Sequence, residues 1–193
     1  MKDTPRIAAL VLAAGDSQRM GTPKALLAIG DSCFLGCSVE TARASALEPV
    51  AAVVGRHATS IAEAQPSLAP LLVVNPAPDL GQLHSLRIGL AALTREPDAV
   101  AVFLVDHPLV SPATVQTLAA AFRDFRRPIT VPVFLGREVF EELRAAPLHT
   151  GARAVVNADG RRVLEVEVDD GGVLADIDTP EEYRLNVGGG SGD

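Results

Sequence analysis

An α/β fold with a mostly parallel sheet covered by helices is what this sequence predicts, on three observations. Ile7 to Ala14 and Ala99 to Val105 are unbroken apolar runs, which is how strands buried on both faces read. Leu83, Leu86, Leu90 and Leu93 repeat with the period of an amphipathic helix. The excess of Ala, Leu and Val, with no Trp, suits a sheet packed under helices. At 193 residues the chain is long enough to bury a core without metal or disulfide, and it reads as a single domain over 1–187 with a Gly/Ser tail over 188–193.

The formal charge of −7 argues against a sequence-independent nucleic-acid binder, which needs a basic face for phosphates. It leaves room for a local basic pocket. Cys33 and Cys37 have neither metal spacing nor a framework of bridges, and read as two buried thiols on one helix face. The apolar runs are far short of a membrane span. Lys2 and Arg6 precede an apolar run much as in a signal peptide, but Asp3 and the shortness of the run favour a cytoplasmic protein.

The first strand, Ile7 to Ala14, passes at Gly15 into a small, polar and basic loop. Gly15 and Gly21 bracket Asp16, Ser17, Gln18, Arg19 and Met20, and Lys24 follows. Glycines there let main-chain amides approach a ligand closely. An amide-rich loop with two cations, Arg19 and Lys24, is a site for polyphosphate. It is neither the P-loop nor the dinucleotide Gly-x-Gly-x-x-Gly pattern.

A short extended piece at 25–29 turns at Gly30-Asp31 into a helix over 32–45, capped by Asp31 or Ser32. The second strand, 50–54, ends in Gly55-Arg56-His57, and a lone His57 in a loop reads as solvated. A helix over 61–65, a strand over 71–74, a rigid loop over 75–79 and the helix over 81–93 follow. Ser85 falls in the first turn of that helix, where free amides and hydroxyls point outward. The strand 99–105 ends in Asp106-His107-Pro108, and Ser111 stands before a helix over 112–122 as its natural cap. Asp106 is then not needed as a cap. A carboxylate ending a buried strand loses solvation unless a cation or donors compensate it, so Asp106 is a candidate metal anchor.

Residues 129–133 read as a strand, 137–145 as a helix, Thr150-Gly151-Ala152-Arg153 as another helix start, and 162–168 as a half-exposed edge strand. The turn 169–172 leads to Asp178-Thr179-Pro180-Glu181, a helix start with Asp178 as cap.

The stretch Leu12-Ala13-Ala14-Gly15-Asp16-Ser17-Gln18-Arg19-Met20-Gly21, with Pro23-Lys24, resembles the signature of the Rossmann-like nucleotidyltransferases. Within them it is most similar to the molybdenum cofactor cytidylyl- and guanylyltransferase group. The resemblance implies a three-layer α/β/α fold and a nucleotide site over Leu12, Ala13, Ala14, Gly15, Ser17 and Gly21. It also implies that Asn75, Gly81 and Ser85 lie against base and ribose. By the same resemblance Arg19 and Lys24 hold phosphates, and Asp106, in the family's Asp-x-Pro, holds Mg2+. Asp178 is either a second metal ligand or only the helix cap, and Asp176 ranks below it. Arg153 faces the acceptor phosphate or is solvated.

Ala14, where guanylyltransferases of this group carry a second Gly, is similar to the cytidylyl branch, which implies CTP and molybdopterin as substrates and a molybdoenzyme as recipient. Relatives carry a longer segment with Gly-His-Pro before the Gly-Arg-x-x-Phe seen here as Gly136 to Phe140, whereas here Pro132 runs almost directly into it, a departure that bears on acceptor recognition. The alternatives are guanylyl or other nucleotidyl transfer to a different phosphate acceptor, and a non-catalytic nucleotide- or cofactor-binding module that delivers cofactor.

Overall fold

Alternation along the first strand sets the layers. In the computed structural model, which describes residues 4–15, 20–125, 127–131 and 134–187, β1 (Ile7–Ala13) is buried along its whole length. Ala8, Leu10 and Leu12 pack into one core, and Ile7, Ala9, Val11 and Ala13 into cores on the other face. Such two-sided burial requires helices above and below, and those helices complete three layers.

Among the described residues the strands are β1, β2 (Ala28–Ile29), β3 (Ser32–Cys33), β4 (Val50–Val54), β5 (Leu72–Val74), β6 (Ala99–Leu104), β7 (Ile129–Val131), β8 (Phe134–Gly136) and β9 (Val163–Glu165). Among the described residues seven form one sheet, in the order β5-β4-β1-β6-β8-β7-β9, and β2 and β3 make a small hairpin. The β5-β4-β1-β6 half is parallel, β8 runs antiparallel to both β6 and β7, and β9 is parallel to β7. The carboxyl ends of the four parallel strands therefore open on one edge, where open α/β sheets place their ligands.

The helices are α1 (Phe34–Ala44), α2 (Ala58–Ala64), α3 (Gln82–Ala92), α4 (Pro112–Phe125), α5 (Phe140–Ala145), α6 (Gly151–Asn157) and α7 (Pro180–Asn186). Leu83, Leu86 and Leu90 of α3 join Phe140, Leu143 and Val155 in covering one face. The other face is covered by Leu35 and Val39 of α1 and by Val115, Leu118 and Phe122 of α4. Gly89 lets α3 lie close on the sheet, since a Cβ there would stand 3.0 Å from Val53 and 3.1 Å from Leu10 side-chain atoms.

Several sequence expectations are corrected locally. The helix expected over 32–45 begins at Phe34, because Ser32 and Cys33 pair with Ala28 and Ile29 across a turn where Gly30 takes φ 55°. Its cap is Cys33, whose Sγ accepts from Gly36 N at 3.4 Å, not Asp31 or Ser32. The helix expected over 61–65 starts at Ala58, and α4 runs on to Phe125. Between 129 and 140 the sequence suggested strand then helix; a second strand, β8, intervenes, and only Phe140–Ala145 is α-helical. Pro132 and Val133, where the family pattern is shortened, lie outside the described residues, as does the tail 188–193. Asp178 does not cap α7. Thr179 does, in a reciprocal capping box with Glu182.

Candidate active site

A cleft of about 620 Å³ opens at the carboxyl edge between β1, β4 and β6, within the size range of small-molecule sites. Its walls include Leu12, Ala13, Ala14 and Gly15 from the end of β1, Lys24 from the short helix after the loop, and Gly81 and Ser85 from the start of α3. Asp106 and Asp178 complete the lining beside Lys24. The ends of β1 and β4 are pressed together here, since a Cβ on Gly55 would come within 2.6 Å of the Ala14 carbonyl oxygen.

Lys24 is placed by local packing. Ala25, next to it, is buried in the core, and the Leu27 amide closes the turn on the Lys24 carbonyl. The Lys24 side chain is only 12% exposed; its Nζ donates to Asp178 Oδ1 and stands 3.7 Å from Asp106 Oδ2. Asp106 is carried by the chain just past β6, where the Val105 amide donates to Leu12 O and prolongs the β1–β6 pairing. The segment before α7 is stitched to this point, because the Ile177 amide donates to Asp106 O at 2.9 Å and the Ile177 side chain is fully buried. Asp176 and Asp178 flank that buried anchor and serve different neighbours.

Asp178 goes to Lys24. Asp176 offers a carboxylate oxygen that lies, with one donor atom each of Asp106 and His107, in a group whose members are all within 4.8 Å of one another. Burial, and then the like charges of Asp106 and Asp178, push the Asp176 carboxyl above the usual carboxylate range. Asp106 Oδ1 is buried and has no hydrogen-bond partner among the described residues. A buried, unpartnered carboxylate oxygen beside two further donors fits a divalent cation, since hard oxygens suit Mg2+ and an added imidazole suits first-row transition ions.

The α3 end is organised around Asn75, 1% exposed. Its Nδ2 donates to Ser85 Oγ at 3.0 Å; its Oδ1 accepts from the Ala77 amide at 2.9 Å and lies 3.0 Å from His84 Nδ1. Gly81, at φ 90°, caps α3 without a side chain, so the first amides of the helix face the cleft free of any side-chain cap.

Of the residues singled out in the sequence, Leu12, Ala13, Ala14, Gly15, Lys24, Gly81, Ser85, Asp106 and Asp178 come together around this cleft. Asn75 sits behind the wall and holds Ser85. Gly21, at φ 65°, is exposed and is not among the cleft's walls. Ser17 and Arg19 lie outside the described residues, and Arg153 is exposed on α6. His57 was read as a solvated loop residue; it is half-buried and faces the cleft, as do Ile61, Pro78 and Gln82. Its place directly after a parallel strand was the available signal.

Residues 9–166 match the family model described as the MobA-like NTP transferase domain. The chain is 30% identical over 199 residues to the purine catabolism protein PucB of Bacillus subtilis (strain 168), across 94% of this chain and 96% of that one. It is 32% identical over 186 residues to the 2-C-methyl-D-erythritol 4-phosphate cytidylyltransferase of Frankia casuarinae, across 95% of this chain but 63% of that protein. Among solved structures it is similar to Rv0371c of Mycobacterium tuberculosis H37Rv, with TM-score 0.79, 28% identity and coverage of 95% and 98% of the two chains. A manganese complex of Rv0371c matches with TM-score 0.74 and 27% identity, across 95% of this chain and 99% of that one.

Proposed function

The chain belongs to the MobA-like NTP transferase family, a group of nucleotidyltransferases, and on that footing we propose that it transfers CMP from CTP to a phosphate of a small acceptor, molybdopterin, releasing pyrophosphate. One observation carries the catalytic reading: Lys24 Nζ and Asp106 Oδ2 stand 3.7 Å apart in one cleft at the carboxyl edge of β1 and β6. The preference for CTP is supported by Ala14 in place of the second glycine of the guanylyl branch, and by a relative named as a cytidylyltransferase.

Attack of the acceptor phosphate on the α-phosphorus in line with the departing pyrophosphate joins two anions. The protein's task is therefore to neutralise and align them. Lys24 holds the charge that builds on the α-phosphate, exchanging part of its pairing with Asp178 and Asp106 for phosphate oxygens. The Gly15 amide and Arg19 take the β- and γ-phosphates. The open amides at the start of α3 and Ser85, fixed by Asn75, take base and ribose. Asp106 holds a divalent cation, magnesium by resemblance, which when bound supplies further neutralisation of the phosphates. In the cell we place the enzyme in the cytoplasm, delivering its product to a molybdoenzyme. Among the described residues no helix is long and apolar enough to cross a membrane.

Incubating the protein with each α-labelled nucleoside triphosphate, a divalent ion and molybdopterin tests the reading. Label from CTP in a dinucleotide is expected. Label from GTP instead moves the base preference. Stabilisation by triphosphate with no label in any product leaves a delivery module, and about 2.7 kcal/mol of stabilisation is expected at 100 times the dissociation constant.

A further inference from the structure

We infer that His84 is a positioning residue of the cleft: its Nδ1–H locks the Asn75 amide in one orientation, and that orientation makes the Ser85 hydroxyl a hydrogen-bond donor toward the cleft, set to meet the 2-carbonyl oxygen of a pyrimidine. The inference rests on the reading of the cleft as a nucleotide site and adds to it the direction of its hydrogen bonds.

The direction starts from the main chain. The Ala77 N–H can only donate, so the Asn75 atom that it meets at 2.9 Å is Oδ1. The same Oδ1 lies 3.0 Å from His84 Nδ1; two bare lone pairs would repel there, so Nδ1 carries the ring proton. With Oδ1 held twice, Nδ2 is left to Ser85 and donates to its Oγ at 3.0 Å. Asn75 is 1% exposed, and reversing its amide would set donor against donor at Ala77 in a place closed to solvent. The Ala77 contact by itself is an ordinary Asx turn. His84 and Ser85 are what tie that turn to the first turn of α3.

Ser85 Oγ therefore accepts, and its own proton needs an acceptor elsewhere. Buried hydroxyls at other helical positions give that proton to the protein: Ser38 to Phe34 O, Ser45 to Thr41 O, Thr41 to Val110 O and Thr114 to Asp170 Oδ2. Ser85 is as buried, at 4% exposure, yet its proton meets no acceptor among the described residues, and Ser85 is a wall of the cleft. A buried donor left over beside a cleft points to a ligand atom. A ribose hydroxyl can turn to suit either direction, so a fixed donor gains nothing there. Holding the direction matters for a partner that cannot turn: the O2 and N3 edge of cytosine only accepts, whereas the N1 and N2 edge of guanine only donates.

The test separates the relay from catalysis. Long-range ¹H–¹⁵N NMR of the full chain without nucleotide reads which nitrogen of the neutral His84 ring carries the proton; Nδ1 is expected, and a proton on Nε2 overturns the inference. Calorimetric titration with CTP and with 2-thio-CTP, whose sulfur is a poor acceptor, reads the donor. Wild type binds CTP about tenfold more tightly than 2-thio-CTP, the size of one hydrogen bond, and S85A binds the two within about threefold of each other. H84L weakens CTP about fivefold or more in the wild-type background but less than about twofold in S85A, and H84N, which keeps a donor near the Nδ1 position, restores CTP to within about threefold of wild type. Equal CTP affinity in H84L and wild type, or a loss in H84L that persists undiminished in S85A, overturns the positioning role. Should H84L fail to fold, the ring proton and S85A decide. A protein that shows this pattern but transfers no nucleotide keeps the inference and refutes the transferase proposal; one that transfers CMP with the proton on Nε2 refutes the inference alone.

Discussion

Two carboxylates flank the loop that joins β6 to α4, and the fold treats them in opposite ways. Asp170, in the turn after β9, has every oxygen engaged: Oδ2 accepts from the Ser111 amide at 2.9 Å and from Thr114 Oγ1 at 2.6 Å, and Oδ1 accepts from the Gly172 amide at 2.9 Å. Burial raises its carboxyl, but these donors outweigh burial and hold it below the usual carboxylate range. Asp106, at the other end of the loop, has Oδ1 buried with no hydrogen-bond partner among the described residues. The comparison separates a carboxylate that ties the chain together from one that we propose holds a ligand, because buried polar atoms in folded proteins are otherwise almost always partnered. The two are linked, since a Cβ on Gly172 would come within 2.2 Å of the Leu109 carbonyl oxygen: the Asp170 turn lies directly against the loop that leaves Asp106.

The largest effect expected from breaking this contrast is on turnover. Asp106→Asn should lower the rate of nucleotidyl transfer about a hundredfold or more, comparable to removing one preorganised charge stabiliser, while leaving the melting temperature at or above that of wild type. Turnover like wild type, or a clear loss of stability, would make Asp106 a structural acid and erase the distinction. Asp170→Ala should do the reverse. Removing a carboxylate that accepts three hydrogen bonds should cost about 2–3 kcal/mol, read from the urea midpoint, with kcat changed less than about tenfold. A variant as stable as wild type would show that those bonds contribute nothing net.

How much of this was legible in the sequence differs between the two acids. Asp106 stood out because it ends an unbroken buried strand, and Lys24 because it follows a glycine loop, so the cleft could be anticipated from local pattern. The buried sheet covered by helices was legible for the same reason, since burial on both faces leaves a continuous apolar run, and its three-layer form was what the resemblance implied. Asp170 read only as part of a turn, because its partners Ser111 and Thr114 lie some sixty residues earlier and no local spacing announces them. The short strand β8 was missed because three residues ending in Gly136 carry no period. The approach of Asp176 to Asp106 and His107 depends likewise on a chain crossing that only coordinates show, whereas His57 had its place after a strand as a signal. Asp178 looked like a cap because Asp before Thr-Pro is a strong start signal, yet the adjacent Thr179 has the better geometry and leaves the carboxylate for Lys24.

The smallest expected effect sharpens the comparison by asking whether the Asp170 tie depends on its charge. A carboxyl whose folded pKa lies below its unfolded value binds fewer protons when folded, so its contribution to stability is complete above the unfolded pKa, about 3.9, and disappears as pH falls through the folded value. The stability difference between wild type and Asp170→Ala should therefore be constant from about pH 7 to pH 5 and shrink below about pH 4. Urea midpoints of both proteins at four pH values measure it. A difference that persists undiminished at pH 3 would mean that Ser111, Thr114 and Gly172 hold the protonated acid as firmly as the anion, and the tie would then be one of shape rather than charge.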